Sequence, residues 1–208
     1  MLFRRRVSHS ASEDRLEKLI AERLEPASNR DAIDRRIWDL FGEEWCVMVT
    51  DLAGFSRRVA EFGIIHFLQT IHESERILVP VIEAHDGILL KVDGDSFLVI
   101  FRSIDKALRA GIEMQKTTHR YNQRKTPEEH VLLCLGLGSG RVLRIGDADV
   151  FGAEVNAASK LGEDTARAHE ILVTKAVKEG ATLPGLEFEE IDEVPPGAEQ
   201  AFRVVYRQ

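Results

Sequence analysis

The chain is 208 residues long, 44% hydrophobic and 30% charged, enough for one well-packed core plus an appendage and too little for two large domains. Its 28 basic and 35 acidic residues leave a formal charge of −7, a balance that repels phosphate backbones and argues against nucleic acid as a partner. The basic start, Met1 to Lys18, has no apolar stretch behind it, and no later segment reaches bilayer-spanning length; neither export nor membrane insertion is expected, and the expected location is cytoplasmic.

Apolar residues recur at helical spacing at Leu16, Leu19, Ile20 and Leu24, then at Ile33, Ile37, Leu40 and Phe41, with a break at Pro26 to Asn29. This predicts two amphipathic helices within an N-terminal helical segment, 1–43, ahead of a main domain, 44–208. Trp45 to Val49 is a continuous apolar run suited to a buried strand, and it ends at Thr50-Asp51. A long helix is expected from Ser56 to Ala84. Gly87 to Leu90 and Phe97 to Phe101 then flank Lys91-Val-Asp-Gly-Asp95, which reads as a hairpin turning at Asp93-Gly94. A helix from Asp105 to Tyr121 and a polar loop, Asn122 to Glu129, lead to a strand from Val131 to Leu137. The order β-α-β-β-α-β is the split βαβ of ferredoxin-like α/β (α+β) folds. A short strand at Arg141 to Ile145, a helix from Ala153 to Ala168, and strands at Ile171 to Thr174, Glu187 to Ile191 and Ala201 to Tyr206 complete the expected elements. Cys46 and Cys134, inside the apolar runs WCVMV and VLLCLGL, read as buried thiols rather than a disulfide.

Asp51 closes a central strand and Asp95 sits at a hairpin that should lie beside it, so the two carboxylates can meet. Two such oxygen ligands, near a glycine loop opening a helix, suit Mg²⁺ bound to a polyphosphate. An Asp-Gly turn and a strand-ending Asp are common for purely structural reasons, and neither motif carries a function alone.

The order of four motifs is more specific. Val49-Thr-Asp51-Leu-Ala-Gly54-Phe55-Ser56, Lys91-Val-Asp-Gly94-Asp95, Gly138-Ser-Gly140-Arg141-Val142 and Asp149-Val-Phe-Gly152-Ala-Glu-Val-Asn156-Ala-Ala-Ser-Lys160-Leu161 together resemble the catalytic domain of class III adenylate and guanylate cyclases, from about Cys46 to Tyr206. The resemblance implies that Asp51 and Asp95 hold two Mg²⁺ or Mn²⁺ ions, with Gly54 and Phe55 at the substrate loop. It implies that Lys91 and Asp149 select the purine, that Asn156 orients the ribose, and that Arg141 contacts phosphate. A lysine donor and an aspartate acceptor match adenine better than guanine, so ATP is expected over GTP, with cyclic AMP and pyrophosphate as products. In the family the two halves of each site come from opposite subunits, which implies a homodimer, or a heterodimer with another cyclase-type chain.

Three departures accompany the resemblance. The family's transition-state arginine falls on Lys160, which lacks the planar fork and has Glu163 and Asp164 beside it. The loop at 193–200, where the family carries a phosphate-facing lysine, holds no cation. The hairpin around Arg144 to Asp147 is short. These features predict a slow cyclase, with a catalytically degenerate nucleotide-binding or protein-interaction module as the alternative. A diguanylate cyclase or polymerase palm fits less well, since no GGDEF-like hairpin is present.

Overall fold

A computed structural model describes residues 10–196 and 198–207, apart from the side chains of residues 55–58. The two N-terminal helices form where the apolar spacing predicts them, α1 at Ala11–Leu24 and α2 at Arg30–Phe41. Ser10 opens α1 through a reciprocal capping box with Glu13, and Asn29 caps α2. The pair closes through Leu19, Ile33, Ile37 and Phe41, which bury together against Ile145. A two-point ion pair from Arg23 to Asp34, at 2.6 and 3.2 Å, and an Arg36–Glu22 pair at 2.6 Å bridge the helices.

Strand β1 (Gly42–Leu52) follows α2 directly and starts three residues before the apolar run. After it come α3 (Phe55–Phe62), α4 (Ile64–Ala84), the hairpin strands β2 (Ile88–Asp93) and β3 (Ser96–Phe101), α5 (Ile104–Asn122) and β4 (Leu133–Ile145). Then follow β5 (Asp149–Phe151), α6 (Ala153–Ser159), β6 (Ile171–Thr174), α7 (Lys175–Gly180), β7 (Glu187–Ile191) and β8 (Ala201–Val205). The sheet runs β2-β3-β1-β4-β6-β8-β7, with β5 paired to β4. Its first four strands, mutually antiparallel, have the ferredoxin-like order, so the fold class is as expected.

Several local expectations are corrected. The single helix expected from 56 to 84 is two, because Gly63 takes φ = 85°, a left-handed value that interrupts the helical ladder. The hairpin turns on Gly94 and Asp95, since Asp93 pairs with Ser96 and Gly94 carries the positive φ that a glycine-first turn requires. The strands expected at 131–137 and 141–145 are one, β4, which pairs with β1 without interruption from Leu133 to Leu143. The α-helix expected to reach 168 stops at Ser159 and widens into a π-helical turn over Lys160–Thr165. Strand β5 and helix α7 have no counterpart among the elements expected from sequence.

Strand alternation divides the core. Cys46 and Met48 point with Val99, Phe101 and Leu135 toward α4 and α5, where Leu78, Ile82, Leu108 and Met114 cover them. Trp45, Val47 and Val49 point the other way, with Ile100, Val142 and Val150, beneath Ala158 of α6. Both cysteines are free and buried. Burial, with the charge of Asp51 behind it, pushes the Cys134 thiol up to about 12, which leaves it inert.

Candidate active site

The first part of the site forms where β1 and β3 stop pairing. Their ladder runs from Cys46↔Phe101 to Val49↔Leu98 and goes no further. At the next position the buried hydroxyl of Thr50 accepts the Phe97 N–H at 3.0 Å, a side chain taking over from backbone. Beyond that point lie Asp51, at the end of β1, and Asp95, at the tip of the β2–β3 hairpin. Their carboxyls lie close enough to shift each other's proton affinity, with the Leu52 N–H near both.

Burial, then the negative charge of Asp95, pushes Asp51 up to about 6. Burial likewise raises Asp95, and both also feel Glu163. The pair therefore holds a proton more tightly than an isolated carboxylate would. Asp95 Oδ2 is buried with no hydrogen-bond partner, an arrangement that costs stability unless a cation or proton satisfies it. Two half-buried carboxylates pressed together, one with an orphaned oxygen, fit a divalent cation. No third His, Cys, Asp or Glu joins them in a metal-binding group among the described residues. Gly54, whose φ of 82° favours glycine, turns the chain from β1 into α3. The side chain of Phe55 lies outside those described.

The second part is set by a bulge and by close packing. Leu89 pairs with Val99 and Lys91 with Leu98, so Leu90 is an extra residue in β2. The bulge brings Lys91 to the Leu98 face of the sheet. There its Nζ lies 3.6 Å from Asp149 Oδ2, at the start of β5. Both lie beside α6, which rests directly on backbone. A Cβ on Gly136 would fall 2.0 Å from Ala158 O, one on Gly138 2.2 Å from Glu154 O, and one on Gly162 2.6 Å from Val49 O. Glu154 fixes this seating, accepting the Ser139 N–H at 2.9 Å and the Thr174 hydroxyl at 2.6 Å. Asn156 is thereby held, exposed, over a cavity of about 260 Å³ whose lining includes Lys91, Asp93, Ser96, Phe151 and Glu163.

Lys91, Asp149 and Asn156 are thus gathered on one face, and the cavity wall at Asp93 and Ser96 adjoins Asp95. Lys160 is exposed and bound to Asp164 at 2.6 Å, one turn away. In the loop at 193–200, Glu199 pairs with Lys175 at 2.9 Å. Arg141 is not brought to this group. It lies opposite Glu44, seven residues back along β1 from Asp51, or about 23 Å at the usual strand rise. Its guanidinium sits 4.7 Å from the Trp38 ring and bonds the Trp38 carbonyl at 3.4 Å. Asp93 and Glu163, both in the cavity wall, were not singled out from sequence for this site; the hairpin register and the π-helical turn, which present them, have no simple sequence signal.

The family described as the adenylate and guanylate cyclase catalytic domain matches residues 42–202, and the chain belongs to that family. Among curated proteins it is 30% identical over 131 residues to the serine/threonine-protein kinase pkn2 of Myxococcus xanthus, covering 63% of this chain and 16% of that protein. It spans less than a fifth of the length of the curated relatives it matches. Among solved structures, the adenylyl cyclase CyaB from P. aeruginosa matches with a TM-score of 0.66 and 20% identity, over 80% of this chain and 96% of that one. The guanylate cyclase domain of RhGC from Catenaria anguillulae, in complex with GTP, matches with a TM-score of 0.66 and 16% identity, over 80% and 98%. Similarities at this identity establish the fold.

Proposed function

We propose that this chain is a slow adenylate cyclase, converting ATP to 3′,5′-cyclic AMP and pyrophosphate at sites shared by two copies of the chain. The observation that carries this reading is the Asp51–Asp95 pair. It is a carboxyl pair that folding forces together at a cost, and the same chain gathers Asn156 with the Lys91–Asp149 pair on one face, where they would meet the partner copy's carboxyl pair. Divalent ions held by Asp51 and Asp95 would supply Lewis acidity at the ribose 3′-hydroxyl and neutralise the triphosphate. Lys91 would donate to the N1 ring nitrogen of adenine and Asp149 would accept from its N6 amine, an edge at which guanine presents N1–H and O6 instead. Asn156 would hold the ribose, and Lys160 would face the α-phosphate with a single charged point in place of a fork.

The ATP substrate, the two metal ions, the homodimer and the cytoplasmic location belong to this proposal, as does the division into a helical segment, 1–43, and a cyclase domain, 44–208. That division is supported by α2 ending at Phe41 and the family match beginning at 42. Among the described residues no helix is long and apolar enough to cross a membrane.

A second reading, a nucleotide-binding module without turnover, is favoured by the Lys160–Asp164 ion pair and by the cation-free loop at 193–200. Mixing Asp51→Ala protein with Asn156→Ala protein separates the two readings. Each variant alone should be inactive, and an equal mixture should recover about a quarter of wild-type cyclic AMP formation, because half the dimers regain one intact site. An active wild type with no recovery in the mixture contradicts shared sites. An inactive wild type that binds ATP calorimetrically supports the module.

A further inference from the structure

The charge around the cavity is unbalanced. Lys91 is paired with Asp149, and Lys160 is taken by Asp164. Asp93 and Glu163 line the cavity with no Lys or Arg ion-paired to either among the described residues, and Asp51 and Asp95 adjoin it. Glu163 is the member of this group that comes from α6 and its π-helical extension. Gly162 is pressed so tightly on Val49, two residues before Asp51, that Glu163, which follows it, is carried up to the carboxyl pair of its own chain. The Ser159 hydroxyl donates to its carboxylate and holds it in place. Its charge reaches both Asp51 and Asp95.

We propose that Glu163 is a specificity-determining residue that keeps a bare nucleoside triphosphate away from the Asp51–Asp95 pair of its own copy and admits one only when divalent cations have neutralised those carboxylates. This rests on the cyclase-type nucleotide site described above. A carboxylate beside that pair repels a multiply charged triphosphate, and it repels an uncharged nucleoside hardly at all. The consequence is an order of events in which metal precedes nucleotide.

Glu163 is exposed, so Glu163→Gln and Glu163→Asp should both fold as the wild type does, and equal melting temperatures check this. NMR titrations of the full chain would follow ATP in EDTA, ATP with saturating Mn²⁺, and adenosine. The glutamine variant should bind metal-free ATP about tenfold more tightly than wild type. The gain should shrink to about twofold with Mn²⁺ and be absent for adenosine. The aspartate variant, which keeps the charge, should behave as wild type. Equal metal-free ATP affinity for wild type and Glu163→Gln, with Mn²⁺-dependent binding intact, overturns the role of Glu163 alone. A gain equally large for adenosine also overturns it, because packing rather than charge would be responsible. No binding of any nucleotide under any condition overturns both this role and the nucleotide site.

Discussion

Lys91 on β2 and Asp149 on β5 meet at 3.6 Å over the cavity beside α6, although neither strand pairs with the other. The ion pair is solvent-accessible, 45% and 33% exposed at its two side chains, so it contributes no more than about 1 kcal/mol to the fold. Lys91→Ala should therefore leave the melting temperature within about 3 °C of wild type. It should also erode the preference for ATP over GTP in competition binding. A large loss of stability with unchanged base preference would make the pair a structural strut.

Asp51 makes stability depend on pH in a defined direction. Its folded pKa, about 6, is raised above its ordinary value of 3.8. Its contribution is therefore fully present below about pH 4 and is lost as pH rises through 6. In EDTA, Asp51→Asn should raise the melting temperature relative to wild type at pH 7.5, by about 2–4 °C for each kcal/mol relieved, and much less at pH 4. Saturating Mn²⁺ at pH 7.5 should stabilise wild type and leave the variant nearly unmoved. Equal responses to Mn²⁺ would place the metal elsewhere.

Gly136 and Gly162 let α6 and its π-helical turn lie against bare strand backbone. A Cβ on Gly136 would meet Ala158 O at 2.0 Å and Gly162 N at 2.4 Å, both backbone atoms that cannot move aside singly. Gly136→Ala should cost about 3 kcal/mol, a fall of roughly 6–12 °C in melting temperature, and should weaken nucleotide binding by displacing Asn156. A variant that melts as wild type and binds normally would show that the helix seat is loose.

Lys160 is held by Asp164 in an exposed pair that is cheap to break. The double variant Lys160→Arg, Asp164→Asn supplies a fork that can brace two phosphate oxygens. It should raise kcat for cyclic AMP by at least about tenfold, up to the roughly 10²-fold that one positioned transition-state donor is worth. An unchanged kcat would show that this position does not face the reacting phosphate.

Much of this was readable from sequence because the signals are local or ordered. The apolar run at Trp45–Val49, the Asp-Gly hairpin and the helical spacing of residues 16–41 report burial at a single period each, and four motifs in order named the family. What escaped is what depends on contacts between distant segments. Gly138 and Gly140 read as a break between two strands because they lack apolar side chains. With Gly136, they instead strip one face of β4 where α6 lies. Gly63 was invisible inside an apolar periodic stretch, and its positive φ splits the helix all the same. The motif points Arg141 at phosphate, whereas its position over Trp38 comes from α2, which precedes the family's matched region. The bulge at Leu90, which brings Lys91 to the Asp149 side, follows from pairing with β3 and leaves no mark in composition.

The most direct test is cyclic nucleotide formation by the purified chain with Mn²⁺ in excess, ATP and GTP in parallel, wild type against Asp51→Ala. Cyclic AMP from ATP, in excess of cyclic GMP from GTP and abolished by the substitution, is the predicted result. Cyclic product that survives Asp51→Ala, or no cyclic product from either nucleotide, contradicts a cyclase built on the Asp51–Asp95 pair.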